Sequence, residues 1–305
     1  MPDERWNALL EVLFVMLKRR LIACLVMKNG IIVQSINFRR YLPVGSPEVA
    51  VEFLNQWGID EIILLDIDAT KEKRGPAFER VRSAAARAFV PLTVGGGIRN
   101  IDDVRELIHS GADKVCLNSA ALTDVNIIRE VAKIFGQQCI VVSVDCQVAR
   151  PGEYSVYRHL TGNSGPWGLI DYLRSIEDAG AGEIFLNSVD RDGAKQGYDI
   201  ALLQKITETV SIPVIACGGV GDPEHFVEAL SKTDVSAVAA GNFFHFTEHS
   251  AITAKAFMEK HGNDVRLDTY ATYRDFDFDP DGRISKRDDS YLDELRFFKI
   301  AKEVI

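Results

Sequence analysis

The chain has 305 residues, 47% of them hydrophobic, and sets 35 Lys and Arg against 44 Asp and Glu for a formal net charge of -9. That is enough apolar material for one large core. The acid excess argues against a general nucleic-acid binder, and no run approaches the ~18 apolar residues of a membrane span.

Phosphate sites built from backbone groups stay compatible with an acidic chain. Cys24, Cys116, Cys139, Cys146 and Cys217 show no zinc-ligand spacing, and four lie in or beside apolar runs. They read as small buried residues of a reducing cytoplasm. The apolar stretch Ala8 to Met16 contains Glu11 and lacks the basic start and cleavage site of a signal peptide. The first fifteen residues read either as an added helix or as sequence ahead of a start at Met16.

Leu21 to Met27 is the first predicted strand, ending at Lys28-Asn29-Gly30, and Ile31 to Val33 is a short hairpin return. A polar and aromatic loop from Asn37 to Gly45 suits a mobile lid or plain surface. Then strands at 61–66, 92–94, 114–117 and 139–145 alternate with helices at 48–57, 78–89, 101–110 and 125–135. A polar insert, Gln147 to Pro166, carries turn signals at Pro151-Gly152 and Gly162-Asn163. Strands at 183–187, 214–217 and 235–239 follow, with helices at 169–179, 200–210, 223–230 and 250–261. The strands are short continuous apolar runs, as expected where helices cover both sides of a parallel sheet. Eight such units predict an α/β fold of the (β/α)8 TIM-barrel class, with a doubly wound sheet as the alternative.

The halves repeat. Glu61-Ile-Ile-Leu-Leu-Asp66 is echoed by Glu183-Ile-Phe-Leu-Asn-Ser188 at an offset of 122, and Val94-Gly95-Gly96-Gly97 by Cys217-Gly218-Gly219 at 123. In a barrel the chemistry sits at the carboxyl ends of the strands. The repeat therefore predicts two anion cradles on opposite sides of one rim. One uses Gly96, Gly97, Asn118 and Ser119; the other uses Asp192, Gly193, Gly218, Gly219, Ala240 and Gly241. The alternative is that these glycines only permit tight turns. A ligand with a phosphate at each end is the expectation.

Asp145 closes the otherwise apolar Ile140-Val-Val-Ser-Val, and a carboxylate there costs desolvation unless it is paired or working. Asp145 is the leading catalytic candidate, with Asp66 and Asp190 beside it; Asp68 and Asp192 crowd the same rim. The alternative for Asp66 and Asp190 is bonding to loop backbone. At an offset of 119, Asp145 falls on Val26. A valine cannot transfer a proton.

Leu21-Ile-Ala-Cys-Leu, Val94-Gly-Gly-Gly-Ile98, Gly111-Ala-Asp-Lys-Val-Cys-Leu-Asn-Ser119, Asp190-Arg-Asp-Gly193 and Phe243-Phe-His-Phe246 carry a resemblance. From about Met16 to Leu267 the chain resembles the cyclase subunit of imidazole glycerol phosphate synthase. The resemblance implies a barrel, residues 16–267, with extensions at 1–15 and 268–305. It implies a glutaminase partner on the amino-terminal face, with Asp113 at that contact. Ammonia would pass a gate of Arg20, Glu61, Lys114 and Glu183 and cross the barrel axis. A bisphosphorylated or sugar-phosphate ligand would then be cleaved and cyclised at the rim. From the residues alone, those four charges equally describe a salt-bridge layer closing the barrel base. The family's two catalytic aspartates fall on Val26 and Asp145, and its first-loop lysine on Gln34. That pattern resembles more closely related proteins that serve amidation of surface-polysaccharide sugars beside a sugar amidotransferase. The expectation is such a cytoplasmic, ammonia-accepting paralogue. The alternatives are a genuine histidine-pathway cyclase subunit and a non-catalytic scaffold that activates a glutaminase.

Beyond the resemblance, Asp277, Asp279, Asp281 and Asp288 have the spacing of a calcium loop, with Gly282 at its sixth position. A solvated acidic turn is the alternative. Tyr291 to Val304 reads as a helix whose Leu292, Leu295 and Phe298 pack on the barrel or a partner.

Overall fold

A computed structural model describes residues 18–161, 163–269, 273–286, 288 and 290. The expectations for residues 1–15 and 291–304 lie outside the described residues. In chain order, β1 (Arg20–Lys28) turns into β2 (Ile31–Ile36) and β3 (Arg40–Gly45), then α1 (Pro47–Gln56). β4 (Glu61–Asp66), α2 (Phe78–Ala85), β5 (Leu92–Gly95), α3 (Ile101–His109) and β6 (Lys114–Leu117) follow. Next come α4 (Ser119–Thr123), α5 (Asn126–Phe135), β7 (Ile140–Arg150), β8 (Glu153–Arg158), β9 (Asn163–Gly168) and α6 (Leu169–Asp178). The chain continues through β10 (Glu183–Ser188), α7 (Ile200–Thr207), β11 (Val214–Cys217), α8 (Pro223–Lys232), β12 (Ala237–Ala240) and α9 (Ser250–Lys260).

Eight strands pair in parallel in the order β1-β4-β5-β6-β7-β10-β11-β12, and β12 pairs back onto β1, closing a (β/α)8 barrel. Helix starts are written locally. Ser46, Asn100 and Asp199 each accept a hydrogen bond from a backbone N–H of the first turn, and Asp222 forms a capping box ahead of Pro223. The barrel strands are buried on both sides. One apolar layer lies between strands and helices; a second, inside the barrel, consists of Ile22, Cys24, Ile63, Cys116, Val141, Phe185, Ile215, Ala237 and Ala239. Burying a side chain of Ile or Phe size contributes ~1.5–3 kcal/mol, so this inner layer adds to the stability of the barrel.

The structure differs from expectation at two places near the rim. The Asn37–Gly45 segment is no loose loop: β2 pairs antiparallel with both β1 and β3. The insert after the fifth strand is the same device, because β7 outruns the barrel to Arg150 and β8 and β9 fold back antiparallel. Each half-barrel thus opens with a strand that rises into a hairpin above the rim.

The calcium-loop expectation is corrected. Asp279 N–H donates to Arg283 O at 2.8 Å, the Asp279 carboxylate accepts from Arg283 N–H at 2.8 Å, and Phe278 bridges Ile284. The segment is a tight hairpin against α9, with the Lys260 ammonium donating to Phe278 O and Asp279 O. The turn uses the Asp279 carboxylate for its own backbone, and Asp277, Asp279, Asp281 and Asp288 are not gathered into a group that could hold a metal. Among the described residues no group of three His, Cys, Asp or Glu side chains is placed to hold a metal. Among them, too, no helix is long and apolar enough to cross a membrane.

Candidate active site

The two ends of the barrel are finished differently. At the amino-terminal end four charges form a ring. Arg20 Nη1 lies 2.8 Å from Glu61 Oε1 and 3.1 Å from Glu183 Oε2. Lys114 Nζ lies 2.8 Å from Glu183 Oε1 and 3.4 Å from Glu61 Oε2. Burial opposes the Arg20 charge, but Glu61 and Glu183 more than offset it and raise its pKa. Two cations and two anions leave the ring neutral, which is how charges persist at a barrel base. Asp113, exposed beside it, accepts from Leu92 N–H at 2.8 Å and fixes the entry of β5.

The carboxyl-terminal end holds a cavity of about 150 Å³. Gly96, Gly97, Asn118 and Ser119 line one side; Asp192, Gly193, Gly218, Gly219, Ala240 and Gly241 line the other. All the residues expected to form the two cradles therefore face one space. The glycine pairs share a conformation: φ is +106° and +74° at Gly96 and Gly97, and +98° and +103° at Gly218 and Gly219. Only glycine takes these values readily. A Cβ on Gly96 would stand 2.2 Å from Asp66 O, and one on Gly219 would stand 2.1 Å from Gly197 O. The tight turns at both glycine pairs thus form part of the cavity wall.

Of the three carboxylates singled out as catalytic candidates, Asp145 and Asp66 line the cavity and Asp190 is not in its lining. Asp145 is buried at the centre of a polar cluster. Asn118 Nδ2 donates to its Oδ2 at 2.7 Å, Asn187 Nδ2 donates to its Oδ1 at 3.2 Å, and His159 Nε2 lies 2.7 Å from Oδ2. Having given their N–H groups to the carboxylate, Asn118 and Asn187 keep buried Oδ1 atoms without protein partners among the described residues.

The crowded rim resolves into separate pairs. Asp66 is held by both Arg74 Nη groups, at 2.7 and 2.9 Å. Asp68 accepts from Lys28 Nζ at 2.6 Å and from Asn29 N–H at 2.8 Å. Burial opposes the Asp68 charge, but Lys28 and the Asn29 N–H outweigh it and hold its carboxyl below the usual range. Asp190, exposed, accepts from Val148 N–H at 2.7 Å and anchors the rising end of β7. Asp192 accepts from Ser35 Oγ at 2.7 Å and Phe38 N–H at 3.0 Å; burial raises its pKa, against those two bonds. Val26 lines the cavity from β1, whereas Gln34 on β2 is not in the lining.

His159 and Arg74 were not visible as site residues in the sequence. His159 sits in the insert after the fifth strand, which reads only as polar. The signal available was its place: the half-repeat puts that insert opposite the first hairpin, so both overhang one mouth.

The family model described as "Histidine biosynthesis protein" matches residues 20–250. A Vibrio vulnificus (strain YJ016) protein provisionally named imidazole glycerol phosphate synthase subunit hisF2 is 45% identical over 271 residues, spanning 89% of this chain and 99% of that protein. The chain belongs to the imidazole glycerol phosphate synthase cyclase-subunit family. It is a cyclase-type barrel whose matched region takes in every barrel strand, both rim hairpins and the charged ring. Within this family frame the cavity holds Asp145 in a built polar setting, with an apolar residue, Val26, where the half-repeat calls for its counterpart.

Proposed function

We propose that the chain is the cyclase subunit of an imidazole glycerol phosphate synthase-type enzyme. It takes ammonia from a glutaminase at the charged end and uses it on a doubly phosphorylated ligand at the cavity end. The observation that carries this reading is the convergence of both glycine cradles and Asp145 on one cavity, in a chain matched over nearly its whole length to a protein of that name. A ligand with an anion at each end would be held by backbone N–H groups at both cradles, leaving its middle over Asp145. The Arg20–Glu61–Lys114–Glu183 ring would gate entry. The inner apolar layer would admit a small neutral amine and exclude ions. The family match supports this reaction over the sugar-amidation expectation, which neither comparison favours.

The test is formation of imidazole glycerol phosphate and aminoimidazole carboxamide ribotide by the purified chain with ammonium as nitrogen source. No product from folded protein at saturating ammonium overturns the reading. A second reading rests on Val26: a barrel lacking the first-strand acid could instead serve sugar amidation, or only activate a glutaminase. Glutamine hydrolysis stimulated by the chain, with no cyclised product, is the result that would favour it.

A further inference from the structure

The first strand offers no acid at the mouth, yet the mouth has a proton carrier from elsewhere. His159 comes from the connection between β8 and β9, lines the same cavity as Val26, and meets Asp145 at 2.7 Å. We propose that His159 is the catalytic acid–base residue of this site. It supplies the proton transfer that position 26 lacks, with Asp145 as the carboxylate that orients it. This rests on the cyclase reading and adds to it a residue role.

Three features carry the inference. The first is geometric: with Nε2 committed to Asp145, the ring keeps Nδ1 without a protein partner among the described residues. This is the arrangement in which a carboxylate fixes the imidazole tautomer and leaves the other nitrogen to exchange a proton. The second is the way the ring is held. Phe38 stacks on it with centroids 5.1 Å apart and planes 20° apart, and Tyr157 meets it edge-on at 5.4 Å. Phe38 has φ +53°, a left-handed conformation unusual for a bulky residue, kept by the Asp192 bond to its N–H. Strain of this kind costs ~1–3 kcal/mol and persists where the surroundings hold it, characteristically at sites. The first hairpin is thus bent so that its aromatic ring covers an imidazole delivered by the second. The third is electrostatic. The charged groups acting on His159 are Asp145 and, more weakly, Lys71; Phe38 and Tyr157 face it with rings. Burial opposes the imidazolium, but Asp145 outweighs burial and Lys71 and raises the pKa. Asp145 thereby favours the imidazolium that proton uptake at Nδ1 would form.

The proton balance is simple. In cyclisation His159 Nδ1 takes one proton from the reacting nitrogen or carbon of the ligand and becomes an imidazolium against Asp145. In cleavage it returns that proton to the departing group and ends neutral, as it began.

The experiment compares wild type, His159→Gln, and His159→Gln combined with Val26→Asp, using ammonium-dependent turnover and its pH profile. Thermal unfolding and calorimetry with imidazole glycerol phosphate accompany each variant. His159→Gln is expected to lower kcat by ~10²–10⁴-fold, with KM and product binding little changed and the histidine limb of the pH profile removed. Val26→Asp in that background is expected to restore at least part of the loss, since it returns a carboxylate to the mouth from the first strand. Wild-type kcat and pH profile in His159→Gln overturn the proposal. So does a loss that travels with lower unfolding temperature and weaker product binding and is not relieved by Val26→Asp, which makes His159 a clamp for the hairpin. Absence of turnover in wild type overturns the cyclase reading instead, and the two failures are told apart by that control.

Discussion

In the first half-barrel, β1 rises past the rim into a hairpin pinned by Lys28 to Asp68, by Ser35 and Phe38 to Asp192, and by Ser35 to Asn242. It presents Val26 to the cavity. In the second half, β7 rises into a hairpin anchored by Asp190 and presents Asp145, which that hairpin meets with His159. The backbone plan is the same twice, down to the left-handed glycine pairs. The side-chain chemistry is not. Repetition preserved what the main chain does, which is turn tightly at the cavity wall. It did not preserve the acid, which stands at Asp145 and has Val26 as its counterpart. The carboxylates of the first half serve as struts: Asp66 against Arg74, Asp68 against Lys28.

That contrast can be broken most directly at Asp145. Asp145→Asn removes the carboxylate charge that orients His159 while keeping its shape, and ammonium-dependent turnover is expected to fall by ~10²–10⁴-fold. Turnover near wild type would make the second half as structural as the first. The next effect is on stability. Arg74→Met leaves the buried Asp66 without its ion pair and is expected to lower unfolding free energy by about 1–3 kcal/mol, read from denaturant midpoints. Asp190, an exposed acid of the other half, is expected to tolerate Asn within about 0.5 kcal/mol. Equal losses would erase the distinction between strut and surface anchor.

Gly96→Ala and Gly219→Ala sharpen the likeness of the halves. Both put a Cβ about 2 Å from a carbonyl oxygen at a left-handed φ, and each is expected to cost about 1–3 kcal/mol. A tolerated substitution at one and not the other would show that the cradles have diverged as well. The smallest effect concerns pH. A raised folded-state pKa at His159 contributes stability that is fully present below the ordinary histidine value and lost as pH rises through the raised one. The stability gap between wild type and His159→Gln should therefore narrow from acid to alkaline pH. A gap constant with pH would mean that Asp145 does not hold the imidazolium.

Much of the site was legible because it is written in backbone-permitting residues. Gly96, Gly97, Gly218 and Gly219 announce strand ends wherever they sit, and Asp145 stands out because a carboxylate ends an apolar run. The charges of the floor ring were legible as residues, but from sequence a gate and a salt-bridge layer read alike. What escaped reading were side-chain pairings made when a loop folds back on the strand before it. Nothing local says that Arg74 takes Asp66 or that the insert delivers His159 to Asp145. The acidic tail is a like case: its spacing fits a calcium loop, and only the folded turn shows the Asp279 carboxylate accepting from the Arg283 N–H.

By itself the sequence determined the alternation of strands and helices, the doubling of the half-barrel and the absence of a first-strand acid, because each depends on residue type and period along the chain. The tertiary structure alone decided which carboxylates are struts and which one sits at the centre of the cavity's polar cluster. It also decided that a histidine from one hairpin and a phenylalanine from the other meet over the mouth. Those outcomes depend on how far two hairpins lean across a closed barrel, a matter of strand register and a strained turn that no single stretch of sequence encodes.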